Sequence, residues 1–453
     1  MPEAQKKEGL ERGLKNRHIQ MIALGGCIGT GLFYGTAESI PLAGPMIILA
    51  YLLGGSIIYM IIRMMGEMAT EEPVAGAFSH FAYKYWGDYP GFLAGWNYWL
   101  LYILVSMAEL SVMGIYINYW FPAVPGWLVA LIAIILITSI NLVSVKFFGE
   151  AEFWLALIKV VAVVGMIAFG LFLIFKGLMN PESTVRVSNL WSFGLMSESG
   201  WWGVWVSLVV VMFSFGGTEL IGITAGEADQ PEKTIPRAVR QVMWRILIFY
   251  LGAIIVMLIM VPWTQINPKV SPFVLVFDAL GIKHVGGILN FVILTAAISV
   301  YNSGIYSNGR MLYGLAEQGN APKFFMKLSS NKIPYIAVLF SSCITLIAVV
   351  VNFLTPDGAF MKVMSVAIAA AVITWAMIVL VHLRFRKAMA GKNIKFKTPF
   401  YPIINYICLI FLAVVIGAMS QFGNFKIAVY VAPAWIALTY IGYRIKVSLD
   451  AKK

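Results

Sequence analysis

Residues 24–33 read Leu24-Gly25-Gly26-Cys27-Ile28-Gly29-Thr30-Gly31-Leu32-Phe33. Four glycines fall within seven residues of this apolar segment, and glycine is a poor helix former because its backbone loses the most freedom on folding. A second segment, residues 213–219, reads Phe213-Ser214-Phe215-Gly216-Gly217-Thr218-Glu219 and combines a Gly-Gly pair with a carboxylate. Each segment therefore predicts an interruption in an otherwise apolar helix.

The composition of the chain leaves too little polar surface for a soluble protein. The 453 residues are 60% hydrophobic and 12% charged, with a mean hydropathy of +0.83, whereas soluble proteins carry about 25% charged residues. This argues against a disordered chain, a fibrous repeat and a nucleic-acid-binding domain, despite a net charge of +12. The three cysteines lie in apolar stretches, which predicts neither a disulfide framework nor a metal site. The polar first 18 residues lack the pattern of a signal peptide.

Apolar stretches recur along the whole chain and predict an all-α integral membrane protein with twelve transmembrane helices. The predicted spans are 19–38, 43–66, 91–117, 126–144, 154–176, 203–225, 242–261, 287–313, 335–353, 359–382, 403–420 and 427–443. Most are long enough to cross about 30 Å of hydrocarbon as helix. A transmembrane barrel would instead show roughly ten-residue segments of alternating polarity, and the sequence has none.

The distribution of lysine and arginine predicts the orientation of these spans. With a cytoplasmic N-terminus, 26 of the 33 cations fall in cytoplasmic segments, six fall on the other side and Lys159 lies within a span. Cytoplasmic loops carry the excess of positive charge in membrane proteins. Both termini are therefore predicted to be cytoplasmic, with anionic lipid headgroups as the contact of the basic loops.

The two interruptions fall in spans one and six, which are the first spans of two consecutive groups of five. Because five is odd, a second five-span copy enters the membrane upside down, and broken helices at equivalent places in inverted halves indicate a transporter binding site. The predicted organisation is a tail (1–18), a first five-helix repeat (19–176), an extracytoplasmic loop (177–200), a second, inverted repeat (201–382), a cytoplasmic loop (383–401), helices 11 and 12 (402–447) and a cytoplasmic tail (448–453).

The helix ends freed by the interruptions predict the ligand. A half-helix that starts near Gly31 presents free N–H groups to an anion, whereas a half-helix that ends near Phe215 presents free carbonyls, which suit an ammonium group. An α-amino acid carries both groups. Two other interpretations apply to the first segment: small residues for close helix packing, and a dinucleotide-binding pattern, which we reject because no strand precedes it and no acid follows.

Ionisable residues at membrane depth are costly and mark function. Lys159 is the candidate proton carrier, because a buried lysine releases its proton more readily than one in water; a structural pair with Glu109 is the alternative. Glu219 either gates the site, relays protons or makes only a structural hydrogen bond to nearby backbone. Arg63, Glu67 and Glu227 lie near cytoplasmic span ends, where snorkelling and pairing with loops are the simpler interpretation.

Aromatic residues at depth beside the interruptions are candidates for a pocket wall, with core packing as the alternative. They are Tyr98, Tyr102, Phe213, Phe215 and Tyr301. The four histidines are scattered at span ends and loops, so no catalytic set is predicted. The other classes to consider are a channel, which would only equilibrate its substrate, a membrane-embedded enzyme and a ligand-sensing receptor.

Several motifs resemble those of one transporter family. They include Arg12-Gly13-Leu14-Lys15-Asn16-Arg17-His18, Glu72-Pro73-Val74-Ala75-Gly76-Ala77-Phe78, Gly216-Gly217-Thr218-Glu219 and Pro231-Glu232-Lys233-Thr234-Ile235-Pro236. As a set, over residues 11–445, they resemble the amino acid transporter family of the amino acid–polyamine–organocation superfamily. The runs at 78–87 and 95–99 are similar to bacterial aromatic amino acid and phenylalanine permeases.

The resemblance implies a leucine-transporter-type fold and proton-driven import of an amino acid across the bacterial inner membrane, with no cofactor. It implies backbone contacts of Gly29, Thr30 and Gly31 with the substrate carboxylate. It also implies contacts of Phe213, Phe215 and Gly216 with the amine and side chain. Lys159 matches the lysine that occupies a sodium-site position in proton-coupled relatives.

Three departures from the aromatic permeases bear on the substrate. Thr218 and Gly226 stand where Leu and Ala are expected, and Cys27 replaces an alanine. Thr218 adds a hydroxyl near the site, as in relatives that carry serine, threonine or other neutral substrates. We therefore expect phenylalanine, tyrosine and tryptophan as substrates, with small or other neutral amino acids, or amino acid exchange, as the alternatives.

Overall fold

The computed structural model describes residues 28–74, 77–179, 184–219, 230–266, 271–274, 285–355, 358–421, 423 and 425–451. These residues form helices joined by turns and short loops. Cys27, Gly226, Glu227, the basic N-terminal motif and residues 220–225 of the sixth predicted span lie outside the described residues.

The helices of the first half begin with one π-helical turn, Gly31–Gly35, that continues into α1. They are α1 (Thr36–Ala43), α2 (Ile47–Glu71), α3 (Ala77–Tyr85), α4 (Asp88–Asn118), α5 (Gly126–Val143), α6 (Val145–Leu178) and α7 (Gly200–Ser214). In the second half, a π-helical segment, Ile246–Gly252, joins α8 to α9. These helices are α8 (Pro231–Arg245), α9 (Ala253–Met260), α10 (Val285–Glu317), α11 (Tyr335–Leu354), α12 (Ala359–Ala388), α13 (Ile403–Gln421) and α14 (Lys426–Asp450).

Nine helical stretches of the described residues are long and apolar enough to cross a membrane, and α7 is a shorter apolar helix. The predicted all-helical membrane protein is confirmed at this level. The helix that contains the fifth predicted span extends beyond the apolar stretch 154–176, since α6 begins at Val145. Only Ser144 separates α5 from α6, and its side chain accepts a hydrogen bond from the Phe147 N–H at 3.1 Å, which caps α6 at its first turn. The charged residues at 146–152 lowered the local hydropathy, although they lie in the helix.

Burial separates a central group of helices from a peripheral one. In α4 and α12, 78% of the most apolar window is buried inside the protein, against 22% in α6. The outer face of α6 exposes large apolar side chains such as Trp154, Phe172 and Phe175. A helix that is apolar all round and buried on one side only is typical of a span whose other side faces lipid.

A buried ionic cluster fastens α2 to α12 at the end predicted to be cytoplasmic. Glu67 is fully buried; its carboxylate accepts a hydrogen bond from the Thr398 N–H at 2.6 Å and pairs with Arg386 and with His382 Nε2, the latter at 3.1 Å. Nearby, Arg63 donates to the Lys397 carbonyl at 2.9 Å. The predicted pairing of Arg63 and Glu67 with a loop is confirmed. We call Glu67, His382, Arg386 and Thr398 the α2–α12 clasp.

Candidate functional site

The two interrupted helices meet at their ends. The helix of the first segment begins at Gly31, and α7 ends at Ser214. A Cβ atom added to Gly31 would lie 2.7 Å from the Ser214 Cα, closer than a Cβ can lie to a backbone carbon, so only glycine fits there without a shift of the backbone. The N-terminus of one helix therefore lies directly against the C-terminus of the other.

The helix end at Gly31 is in contact with a carboxyl group. Thr30 donates to Glu109 Oε1 through its hydroxyl at 2.8 Å and through its N–H at 3.4 Å. Gly29 is close by, since a Cβ there would lie 3.2 Å from Glu109 Oε1 and from the Val300 side chain. Thr30 and Glu109 are almost completely buried. The structure thus brings Gly29, Thr30, Gly31 and Glu109 together around one helix N-terminus.

The helix end at Phe215 turns back on itself. Gly216 N–H donates to the Phe213 carbonyl at 3.1 Å, and the Thr218 hydroxyl donates to the Phe215 carbonyl at 2.9 Å. The Ser214 carbonyl accepts a hydrogen bond from the Tyr250 hydroxyl at 2.7 Å. The Phe215 carbonyl also accepts from the Thr218 N–H at 3.4 Å, so both of its lone pairs are engaged. The Phe213 and Ser214 carbonyls each accept one of the hydrogen bonds described, which leaves each a second lone pair for a further donor.

The Glu219 carboxyl group is hydrogen-bonded to the backbone of this turn. Gly217 has a φ of +88°, a left-handed conformation that favours glycine, and its N–H donates to Glu219 Oε1 at 3.2 Å. Glu219 is buried, and the Trp375 indole of α12 faces its carboxyl group. The backbone hydrogen bond considered for Glu219 is present, while a gating or relay role stays a prediction.

Aromatic side chains lie on two sides of the junction. Phe213 packs edge-on against Phe360 at 6.0 Å between ring centroids, and Phe360 packs against Tyr34 at 5.0 Å. We call Tyr34, Phe213 and Phe360 the aromatic cluster. Phe215 is directed elsewhere and packs against Tyr51 at 5.8 Å.

The predicted aromatic residues of α4 form a pair of their own. The rings of Tyr98 and Tyr102 are 4.7 Å apart between centroids, and both residues are buried. The Tyr102 carbonyl lies near Gly304 of α10. They therefore belong to the contact between α4 and α10.

The structure does not bring Tyr301 to the junction. Its hydroxyl pairs with the Thr345 hydroxyl of α11 at 3.1 Å, so the ring extends towards the outer helices. The preceding residue, Val300, is the one that faces Gly29. Successive side chains on a helix are rotated by about 100°, so Val300 and Tyr301 face different neighbours, and a role of Tyr301 in substrate binding stays a prediction.

Lys159 is fully buried and belongs to a polar network between α6 and α10. Its Nζ donates to the Ser299 hydroxyl at 2.9 Å, and Ser299 donates to Glu152 Oε1. Lys159 also interacts electrostatically with Glu109 and Glu152. Sequence analysis missed Glu152 and Ser299, although the seven-residue spacing of Glu152 and Lys159 places both on one face of α6.

No group of three His, Cys, Asp or Glu side chains within the described ranges could hold a metal ion. His382, one of the scattered histidines, is a member of the α2–α12 clasp. The polar side chains described at the junction are the hydroxyls of Thr30, Ser214 and Thr218 and the carboxyl groups of Glu109 and Glu219.

The described residues form helices that are long and apolar enough to cross a membrane, and buried polar groups lie where two helix ends meet. These features define an integral membrane protein built around a central polar site. The family model described as amino acid permease matches residues 18–453, so the chain belongs to that family. This confirms the resemblance seen in the motifs.

Three relatives illustrate the similarity. The chain is 50% identical over 448 residues to the aromatic amino acid transport protein AroP of Salmonella typhimurium (strain LT2), covering 98% of each chain. It is 51% identical over 441 residues to AroP of Escherichia coli (strain K12), covering 97% of this chain and 96% of the relative. The uncharacterized amino acid permease YtnA of Bacillus subtilis (strain 168) is 45% identical over 440 residues, with 96% and 95% coverage.

Proposed function

We propose that the protein is a proton-coupled symporter that imports an amino acid by alternating access across the bacterial inner membrane. In this proposal the chain has twelve spans, a five-plus-five inverted repeat with broken helices 1 and 6, two C-terminal helices, and both termini in the cytoplasm. The observation that carries it is the contact between Gly31 and Ser214, where a helix N-terminus meets a helix C-terminus.

The two helix ends suit the two charges of an α-amino acid. The amides at Thr30 and Gly31 would bind the substrate carboxylate. The second lone pair of the Phe213 carbonyl, which accepts one hydrogen bond from the Gly216 N–H, would bind the ammonium group. Gly216 keeps the Phe213 carbonyl accessible, because a Cβ at position 216 would lie 3.3 Å from its oxygen. The bound substrate would join both halves of the repeat.

An aromatic side chain is the substrate feature that the site supports best. The aromatic cluster lies beside the junction and offers edges and faces for ring-to-ring contact, which adds about 0.5–1.5 kcal/mol per pair beyond burial. The AroP relatives are named for aromatic amino acid transport. The Thr218 hydroxyl donates to the Phe215 carbonyl, so its proton is engaged and gives less support to a permease for small neutral amino acids.

Proton coupling is supported by the charges around the junction. A substrate carboxylate at Thr30 would lie beside Glu109, and two neighbouring carboxylates repel unless one carries a proton. Lys159, within electrostatic range of Glu109, is the proposed proton carrier. A proton that crosses one pH unit releases about 1.4 kcal/mol, enough for about tenfold accumulation of substrate.

Uptake of labelled phenylalanine into proteoliposomes tests the proposal. With the medium outside more acidic by one pH unit, we expect accumulation that a protonophore abolishes and that tyrosine and tryptophan compete best. Uptake of threonine or serine in place of phenylalanine would contradict the aromatic specificity. Uptake that requires amino acid inside the vesicles and ignores the pH gradient would show an exchanger, and simple equilibration would show a channel.

A further inference from the structure

A chain of buried hydrogen bonds leads from Lys159 through Ser299 to Glu152. Lys159 Nζ donates to Ser299 Oγ at 2.9 Å, and Ser299 Oγ donates to Glu152 Oε1 at 2.5 Å. The second oxygen of Glu152 accepts from Asn302 Nδ2 at 3.3 Å, and Asn302 is held in turn by Asn141 at 2.9 Å. Lys159, Ser299 and Glu152 have no measurable exposure to solvent.

We infer that Glu152 receives the proton that Lys159 releases, through the Ser299 hydroxyl, and thereby completes the proton path of the transporter. This inference rests on the proposed proton-coupled function and extends it by two residues that have no role in substrate binding. Asn302 and Asn141 are positioning residues, because they hold the Glu152 carboxyl group in line with Ser299.

The transfer needs no group beyond these three side chains. The Lys159 ammonium passes one proton to Ser299 Oγ, while the Ser299 hydroxyl proton moves to Glu152 Oε1. Lysine becomes a neutral amine, Glu152 becomes a neutral acid and the hydroxyl is restored with the other proton. The ion pair is converted into a neutral pair, so the number of protons and the total charge of the network are unchanged.

The geometry also sets a direction. Glu152 precedes Lys159 by seven residues in α6, which is about 10 Å along the helix axis towards its N-terminal end. In the proposed topology this is the cytoplasmic end, where an imported proton has to leave. Lys159 interacts electrostatically with Glu109 at the junction and with Glu152. It therefore has one carboxyl group on the proposed substrate side and another on the proposed exit side.

Comparing proton-driven accumulation of phenylalanine with its counterflow, which needs no proton gradient, tests this inference. Glu152→Gln keeps the size of the side chain but cannot take up the proton, and Ser299→Ala removes the connecting hydroxyl. With one pH unit across proteoliposomes and the potential clamped by potassium and valinomycin, we expect both variants to lower phenylalanine accumulation from about tenfold to about onefold. Counterflow of labelled phenylalanine, which needs no proton gradient, should stay within about twofold of the wild type.

Two further variants serve as controls. Ser299→Thr keeps a hydroxyl at the same position and should restore accumulation. Thr295→Val removes a buried hydroxyl one turn away on α10. Among the described residues, this hydroxyl donates only to the Val292 carbonyl of the same helix, at 2.6 Å. The substitution should therefore leave accumulation unchanged.

The outcomes distinguish this inference from the proposed function. If the wild type accumulates phenylalanine and Lys159→Met does not, while Glu152→Gln and Ser299→Ala accumulate normally, the path through Glu152 is wrong and proton coupling stands. If the wild type shows no proton-driven accumulation, both are wrong. If Glu152→Gln loses both counterflow and accumulation, the network has a structural role and the inference is overturned. The same conclusion follows if Ser299→Thr does not restore accumulation.

Discussion

At the scale of single residues, Gly31 determines how closely the two helix ends approach. Its missing side chain lets the backbone of the first helix lie against Ser214 of α7, and Thr30 next to it bonds to Glu109. The two helix ends are therefore in direct contact. A larger residue at position 31 would separate them.

Gly31→Ala is expected to impair phenylalanine uptake without unfolding the protein. The added Cβ would overlap the backbone at Ser214, and overpacking costs about 1–3 kcal/mol, equivalent to roughly 5- to 150-fold if it is expressed at the site. Gly165→Ala on α6 is the matched control, because a Cβ there meets nothing within 4 Å. Equal uptake rates for the two variants would show that the contact at Gly31 is irrelevant to transport.

Lys159→Met is expected to separate substrate binding from proton coupling. Methionine keeps much of the apolar stem but removes the ammonium group that donates to Ser299. Proton-driven accumulation should be lost while phenylalanine still raises the melting temperature of the variant. Normal accumulation by Lys159→Met would rule out its role as the proton carrier.

Sequence reasoning reached Lys159 and Gly31 because single charges and glycine clusters stand out in apolar spans. It did not reach Glu152, which lay outside the hydropathy window chosen for the span although α6 begins at Val145. It chose Tyr301, whereas Val300 faces Gly29. Hydropathy gives the position of a helix along the chain but not which residue of a uniformly apolar helix faces a given neighbour.

At the scale of elements, the α2–α12 clasp joins a helix of each proposed repeat. Glu67 contacts two residues of α12 and the backbone at Thr398 while fully buried. A buried charge that loses its partners is strongly destabilising. The clasp therefore contributes to holding these two helices together at one end of the protein.

Glu67→Gln is expected to destabilise the protein markedly. The substitution leaves Arg386 without its counter-charge, and breaking a buried ion pair costs about 3–5 kcal/mol. Glu232→Gln is the control, because Glu232 pairs with Lys395 at the surface, with more than half of each side chain exposed (59% and 56%), where a pair contributes about 0–1 kcal/mol. The melting temperature in detergent measures both, and an equal decrease in the two variants would contradict this role for the clasp.

The connection between α2 and α3 is expected to weaken in acid. Burial alone would raise the pKa of the Glu72 carboxyl, but hydrogen bonds from Lys84 and Tyr85 hold it below the ordinary value of 4.5. A carboxyl with a lower pKa in the folded state stabilises the fold above that ordinary value, and its contribution is lost as the pH falls through the folded value.

Hydrogen exchange measures this effect. Protection factors of amides in α3 should fall between about pH 5 and about pH 3. In Glu72→Gln they should already be low at neutral pH and change little with acid. An unchanged protection in the wild type over this range would show that Glu72 does not secure α3.

At the scale of the whole molecule, the charge distribution predicts which face is cytoplasmic. With Cys27, Cys343 and Cys408 replaced, a cysteine introduced by Ala123→Cys, in the exposed loop after α4, should react with an impermeant maleimide in intact cells. One introduced by Lys392→Cys, exposed between α12 and α13, should react only after permeabilisation. The reverse pattern would invert the proposed topology.

Composition and charge sufficed to predict a helical membrane protein because both are properties of whole spans and average over many residues. The meeting of residues 29–31 with 213–216 was predicted from glycine placement alone, and the structure places Gly31 against Ser214. The partners of these residues, such as Phe360 and Glu109, come from helices distant in the chain. Their proximity depends on packing, which no local pattern contains.

The most direct test of the account is to follow protons and substrate in the same vesicles. Proteoliposomes that contain a trapped pH-sensitive dye would receive external labelled phenylalanine with no initial pH gradient and the potential clamped. We expect the lumen to acidify as phenylalanine enters, in a constant ratio, and tyrosine and tryptophan to suppress both signals together. Phenylalanine entry without acidification would contradict proton symport by this protein.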